Sequence, residues 1–261
     1  MKTAFITGGS SGFGLEFAKQ LAAQKYGLVL VALNADDLQT VATNLREKFK
    51  VPVETLAGDL SGDDFIAKVS DKIRETEDLE ILINDAGFGL HESLLDDSAA
   101  AFAKQRAAWR VMAQNTLEFS AVTASQMAAR KHGQIINIAS TSAWTYQGNY
   151  SALKHWVVSY TEGLAIELRG SGVTTTVICP AWAHTHFHAA AGLPEPSMPQ
   201  WLFVAPEVVA KIGLNDSRKG KIISIPTIKW KIIIWFLDHG PRGLSRFVSR
   251  KYMASKNYQE K

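Results

Sequence analysis

The stretch that decides the fold is Lys2-Thr3-Ala4-Phe5-Ile6-Thr7-Gly8-Gly9-Ser10-Ser11-Gly12-Phe13-Gly14. Residues 2–7 read as a short buried strand, and the glycine-rich turn feeds a helix that begins Leu15-Glu16-Phe17-Ala18-Lys19-Gln20-Leu21, apolar at helical spacing. Gly8, Gly12 and Gly14 can take backbone angles closed to other residues and leave room for a ligand lying against the main chain. The helix start presents unpaired N–H groups and the positive end of its dipole, so an anion such as a pyrophosphate is favoured there. Gly8-Gly9-Ser10-Ser11-Gly12 also fits the G-x-S-x-G elbow of serine hydrolases, which would make Ser10 a nucleophile. That elbow follows several strands, whereas one strand precedes this turn. No Lys-Ser/Thr follows Gly14, which excludes a P-loop nucleoside triphosphatase.

The rest of the 261 residues repeats the same unit. Continuous apolar runs at 27–33 and 79–84, with 51–57, 134–139, 173–179 and 222–225, read as strands. Helical spacing returns over 36–48, 62–76, two helices within 92–131, 149–169 and a short helix after Pro206. Strands alternating with helices predict a single-domain, doubly wound parallel sheet of about seven strands, of Rossmann type. Residues 1–228 form that domain and 229–261 a basic, apolar extension of it. Ligands of such sheets lie beyond the carboxyl ends of the strands. The residues there are 8–14, 33–34, 59–60, 84–89, 140 and 180–185.

Composition fits a globular enzyme, with 46% apolar and 20% charged residues. The one cysteine, Cys179, lies in an apolar strand, excludes an internal disulfide and fits a reducing, cytoplasmic setting. Met1-Lys2 leads straight into the first strand, without a signal-peptide pattern, and the apolar run 232–237 is too short to span a bilayer. Charge is uneven: residues 211–261 balance to +9 and residues 1–210 to −6. A basic segment interleaved with aromatics suits a solvated face on a subunit, or contact with a membrane, an acidic acyl carrier or a phosphorylated substrate. Nothing points to nucleic acid.

The strand ends carry a constellation. Asp59 is an acceptor suited to an adenine amino group, or a turn acid. Asn84-Asp85-Ala86-Gly87 puts small residues where backbone must meet a ligand. Ser140 follows the fifth strand, and Tyr150-Ser151-Ala152-Leu153-Lys154 opens the next helix with a phenol and an ammonium one turn apart on one face. An ammonium so placed favours the phenolate and readies the tyrosine for proton transfer near working pH.

With these motifs in this order, the chain resembles the short-chain dehydrogenase/reductase family over nearly its whole length. Thr7-Gly8-Gly9-Ser10-Ser11-Gly12-Phe13-Gly14 is similar to T-G-x-x-x-G-x-G, Asn84-Asp85-Ala86-Gly87 to N-N-A-G, and Asn115 falls where the family carries a helical Asn. Ser140 with Tyr150-x-x-x-Lys154 matches the catalytic Ser and Y-x-x-x-K, and Pro180-Ala181-Trp182-Ala183-His184-Thr185 resembles P-G-x-x-x-T. The resemblance implies hydride transfer between NAD(P)(H) and a carbonyl or secondary alcohol. It makes Tyr150 the general acid/base, Ser140 a hydrogen-bond donor to the substrate oxygen, Lys154 a ligand of the nicotinamide ribose, and Asn115 part of a proton relay. It places the cofactor on Gly8, Ser10, Ser11, Gly12, Phe13, Gly14, Leu33, Asn34, Asp59, Leu60, Asn84, Ala86, Gly87, Tyr150, Lys154, Pro180, Ala183 and Thr185. It also implies a homodimer or homotetramer, packed through helices at about 100–130 and 149–169.

Departures from the pattern bear on chemistry. Asp85 replaces the second Asn and Ala181 the Gly. The interval from Ser140 to Tyr150 is short, so Ser142 is a lesser candidate for the serine. Leu33 and Asn34 close strand two without the acid that selects NAD, and Ser10, Ser11 and Asn34 can donate to a phosphate, which favours NADP with NAD as the alternative. His184-x-His186-x-His188 lacks zinc-ligand spacing and a nearby carboxylate, so no metal is expected. Segment 186–204 and Trp144, Tyr146, Trp182, Trp201 and Phe203 could line a bulky apolar substrate pocket. A catalytically silent nucleotide-binding scaffold, using the basic tail on a partner or membrane, is the alternative function.

Overall fold

A computed structural model describes residues 1–90, 92–183 and 199–257, with side chains described as far as residue 251. Seven parallel strands form one sheet: Thr3–Thr7 (β1), Gly27–Ala32 (β2), Val53–Ala57 (β3), Leu79–Asn84 (β4), Gly133–Ile138 (β5), Val173–Ile178 (β6) and Ile223–Ser224 (β7). The helices between them are Gly12–Ala23 (α1), Ala35–Phe49 (α2), Asp63–Glu75 (α3), Ala99–Trp109 (α4), Asn115–Arg130 (α5), Gly148–Glu167 (α6) and Pro206–Arg218 (α7). Ile228–His239 (α8) and Arg242–Asn257 (α9) close the described chain. Between α4 and α5 the helix does not break. It passes through a π-helical turn, Arg110–Gln114, where the sequence suggests two separate helices.

The alternation of side chains along each strand sorts the core to two faces. Ala4 and Ile6 of β1 join Phe17, Leu21, Leu38 and Leu45 of α1 and α2, with Val209 and Leu214 of α7. Phe5, between them, joins Ile66, Val69 and Ile73 of α3 and Phe119 and Met127 of α5 on the other face. Burial on both faces explains why β2, Gly27–Ala32, is apolar throughout. Local signals set the helix ends. Asn34 Oδ1 accepts from the N–H groups of Asp36 and Asp37 and caps α2, whose first turn carries those acids and whose last turn carries Arg46 and Lys48.

Strand order is β3-β2-β1-β4-β5-β6-β7. The chain winds outward from β1 to β3, then crosses back to β4 beside β1, pairing Thr7 with Asn84. The direction of winding reverses between these two strands, and the crevice beyond their ends is where such a sheet binds ligands.

Candidate active site

The turn after β1 takes its shape from close packing. Gly8 has φ +73°, and a Cβ there would lie 3.1 Å from Ala86 N. A Cβ on Gly14 would run into the carbonyl oxygen of Gly8 and come 2.9 Å from Asp85 Oδ2. Only glycine lets α1 start so close to the end of β4. Ser11 is the N-cap of α1 and makes no side-chain cap bond.

Two residues outside the expected site set, Thr7 and Asp85, tie the Asn84–Gly87 segment to β1 and to the glycine turn. Thr7 Oγ1 accepts from the N–H groups of Asp85 and Ala86, both at 3.1 Å. Asp85 Oδ2 accepts from Gly14 N–H at 2.7 Å. The acid that departs from the family pattern therefore pins the glycine turn to β4. Thr7 opens the T-G-x-x-x-G-x-G run, which was its one sequence signal. Asn84 itself is buried: its Nδ2 donates to Asn137 Oδ1 at 2.9 Å and Ser120 Oγ at 3.1 Å, and Asn137 Nδ2 donates to Thr161 Oγ1 at 3.0 Å. This buried polar tie joins β4 and β5 to α5 and α6.

Around the crevice the other predicted residues take definite positions. Leu33 is exposed, and Asn34 uses its oxygen to cap α2. Asp59 closes a turn, its carboxylate accepting from Ser61 N–H and Oγ, both at 2.8 Å. Leu60 is buried, and its carbonyl accepts from Asn115 Nδ2 at 2.8 Å, which fastens the start of α5 to the end of β3. Asn115 follows directly on the π-helical turn, a distortion found frequently at functional sites. Its Oδ1 is buried and has no hydrogen-bond partner among the described residues.

Ser140 caps the short 3-10 turn Thr141–Trp144, its Oγ accepting from Ser142 N–H at 3.0 Å. Pro180 is buried and its carbonyl accepts from Thr141 N–H, while the buried Ala183 is preceded by Trp182, whose carbonyl accepts from Val204 N–H. Thr185 and the run His184-x-His186-x-His188 lie outside the described residues. Tyr150, in the first turn of α6, is half-buried against the cluster of Leu90, Ala108, Met112 and Leu153.

Lys154, one turn on, is 5% exposed. Its Nζ donates to Ile138 O at 3.0 Å and lies 5.8 Å from the centre of the Tyr150 ring. The structure thus carries the ammonium from α6 to the end of β5, two residues before Ser140. Burial lowers the Lys154 pKa to about 8, against the pull of Asp85 and of Cys179. Burial likewise raises the Asp85 carboxyl to about 7, opposed by the Lys154 ammonium and by Gly14 N–H.

A carboxyl raised in the folded state contributes stability that is fully present below its unfolded pKa, near 3.8, and lost as pH rises through 7. Asp85→Asn keeps an acceptor for Gly14 N–H and removes the buried charge. It is expected to stabilise the ligand-free protein by about 2 kcal/mol at pH 8, with a gain near zero at pH 4. Chemical denaturation at the two pH values checks this. An equal effect at both would refute it.

The chain is similar to known proteins over most of its length. A family model for short chain dehydrogenases matches residues 2–195. An uncharacterised oxidoreductase of Staphylococcus saprophyticus is 32% identical over 188 residues, spanning 70% of this chain and 79% of that protein. A short-chain dehydrogenase from Sphingobium yanoikuyae, solved in complex with NADPH, is 27% identical with a TM-score of 0.83, covering 94% of this chain and 95% of that one. The bulky-bulky ketone specific alcohol dehydrogenase from Comamonas testosteroni is 25% identical with a TM-score of 0.80, covering 94% and 93%. By the match to the family model and by its fold, the chain belongs to the short-chain dehydrogenase family of oxidoreductases.

Proposed function

We propose that this protein moves a hydride between NADP(H) and a carbonyl or secondary alcohol of a bulky, apolar substrate. The observation that carries the reading is Lys154: a buried ammonium, held by one backbone carbonyl, over the Tyr150 ring and beside the end of β5. A buried cation with no carboxylate in contact among the described residues is costly to fold, and this one serves a chemical need.

The crevice would take a dinucleotide. Gly8, Ser10, Ser11, Gly12, Phe13 and Gly14 offer backbone and hydroxyl donors at the positive end of α1. Leu33 and Asn34 would flank the adenosine ribose, Asp59 and Leu60 the adenine, and Asn84, Ala86 and Gly87 the adjoining backbone. Lys154 would hold the nicotinamide ribose, and Pro180, Ala183 and Thr185 the carboxamide. When bound, the nicotinamide supplies or accepts the hydride.

The remaining chemistry belongs to side chains. Tyr150 Oη gives a proton to the carbonyl oxygen in reduction and takes one from the alcohol in oxidation. Ser140 Oγ, already oriented by Ser142 N–H, keeps its own proton to donate to the same oxygen as charge develops there. One Lys154 N–H is committed to Ile138, and the others serve the ribose and the phenolate. Asn115, next to the π-helical turn, would position water that passes protons between Lys154 and solvent. The likeness to an enzyme named for bulky-bulky ketones, and the aromatic residues Trp144, Tyr146, Trp182, Trp201 and Phe203, support a large apolar substrate.

A screen of ketones and secondary alcohols, read at the nicotinamide absorbance, tests the reaction. No turnover with any would refute it. NADPH is expected to be preferred to NADH by about tenfold in kcat/KM, because no acid closes β2. Asp36 and Asp37, exposed in the first turn of α2, keep the ratio from being larger. Equal use of both cofactors, or preference for NADH, would overturn this assignment.

A second copy of the chain would cover the groove of about 520 Å³ between α5 and α6, lined by Leu117, Ala121, Tyr160 and Leu164. Leu117, 44% exposed, stands at its edge. Leu117→Glu is expected to convert the oligomer to monomer in analytical ultracentrifugation, and an unchanged mass would locate the contact elsewhere.

A further inference from the structure

The last two helices turn their apolar residues the wrong way for a water-soluble surface. In α8, Trp230 is buried in the main core and Ile234 is buried on the same side, yet Ile228, Ile232, Trp235 and Phe236 recur at helical spacing on the opposite side. Trp235 is 56% exposed and Phe236 53%. A helix apolar on both sides belongs in an interior or against an apolar medium.

α9 is turned inside out. Its buried face is Ser245 and Ser249, each 4% exposed, bonded through Oγ to Leu237 O and Ser245 O. Leu244, Phe247 and Val248 point outward, with Phe247 64% exposed. A helix that buries hydroxyls and exposes Leu244, Phe247 and Val248 does not hide its apolar residues among the described residues of its own domain.

Charge identifies what covers these faces. Residues 228–251 hold six Lys and Arg and one acid, Asp238. That acid accepts from Trp144 Nε1 at 3.1 Å. Lys231 of α8 and Arg242, Arg246, Arg250 and Lys251 of α9 are exposed among the apolar residues. Aromatics beside Lys and Arg on a surface helix suit the plane of an anionic bilayer, with rings in the acyl boundary and cations at the headgroups. A second copy placed on this face by a two-fold axis would set the arginines against their own mates. Among the described residues no helix is long and apolar enough to cross a membrane. These helices would lie on one.

We propose that α8 and α9 dock this protein on membranes carrying anionic lipid, inserting Trp235, Phe236 and Phe247. The docking face is tied to the segment between Ser140 and Tyr150. Trp144 donates to Asp238 of α8, and Tyr146 N–H donates to Ser249 Oγ of α9 at 2.8 Å. The mouth of the active site therefore sits beside the bilayer, where an apolar, membrane-partitioned carbonyl compound is concentrated. This last step rests on the oxidoreductase reading. The docking itself does not.

Flotation of the full chain with two kinds of vesicle tests it: phosphatidylcholine alone, and phosphatidylcholine mixed with phosphatidylglycerol. The protein is expected to float with the anionic vesicles and release as salt is raised. Arg246→Gln/Arg250→Gln should lower anionic binding by about fivefold for each cation removed. Trp235→Ser/Phe247→Ser should lower it by roughly tenfold or more. All these side chains are exposed, and thermal melts matching wild type would show the variants folded. Absence of binding to anionic vesicles at low salt would overturn docking. So would wild-type binding by the Trp235/Phe247 variant, or a self-association of wild type that this variant abolishes. Binding to an acidic acyl-carrier protein with vesicles ignored would also overturn it. A protein that floats but reduces no carbonyl would refute the oxidoreductase reading and leave the docking surface standing.

Discussion

Replacing Tyr150 with Phe is expected to lower kcat by roughly a thousandfold, within the range that positioned proton transfer contributes. The ring would stay where it is, since Leu90, Ala108, Met112 and Leu153 hold its apolar body and the substitution removes one oxygen. Stability and cofactor binding should therefore change little, and the loss should fall on kcat rather than on KM. Stopped-flow turnover beside a fluorescence titration of NADPH separates the two. Unchanged turnover would remove Tyr150 from the chemistry. Unchanged vesicle or partner binding, in a protein with no reaction to lose, would instead favour the nucleotide-binding scaffold.

Lys154→Met is expected to be as damaging to kcat/KM, by about a thousandfold, without destabilising the fold at neutral pH. The side chain is 5% exposed, and methionine keeps the volume of its stem. Because burial lowers the Lys154 pKa from 10.5 to about 8, the folded state resists the charged form. Its contribution to stability is full above the unfolded pKa of 10.5 and is lost as pH falls through 8. At pH 7 wild type carries that penalty and the Met variant does not. The variant gives up the bond to Ile138 O and leaves Asp85 without its nearby cation, which offsets part of the gain. A net stabilisation of about 1 kcal/mol at pH 7, shrinking towards pH 10, is the expected result. An inactive protein no less stable than wild type marks a residue kept for chemistry. A variant that is active, or that unfolds, contradicts the assignment.

Much of this molecule can be seen in its sequence because the governing rules are local. Apolar runs, helical spacing and glycines at 8, 12 and 14 depend on neighbours a few residues away, and they sufficed for a parallel sheet opened by a glycine-rich turn. The Tyr150–Lys154 pairing is local too, since one helical turn sets it. The π-helical turn at Arg110–Gln114 was invisible, because no residue type marks where a continuous helix adds one residue to a turn. The anchoring of Gly14 by Asp85, 71 residues away, depends on the register between β1 and β4, as does the hold of Thr7 on the same loop.

The tail shows the division most plainly. Sequence alone determined that residues 211–261 are basic and apolar, and left open whether those residues meet a subunit, a carrier or a membrane. Tertiary structure decided that Trp230 and Ile234 face inward while Trp235, Phe236 and Phe247 face out. The period of a helix fixes which side chains share a face, but the packing of that helix on its neighbours chooses which face is buried.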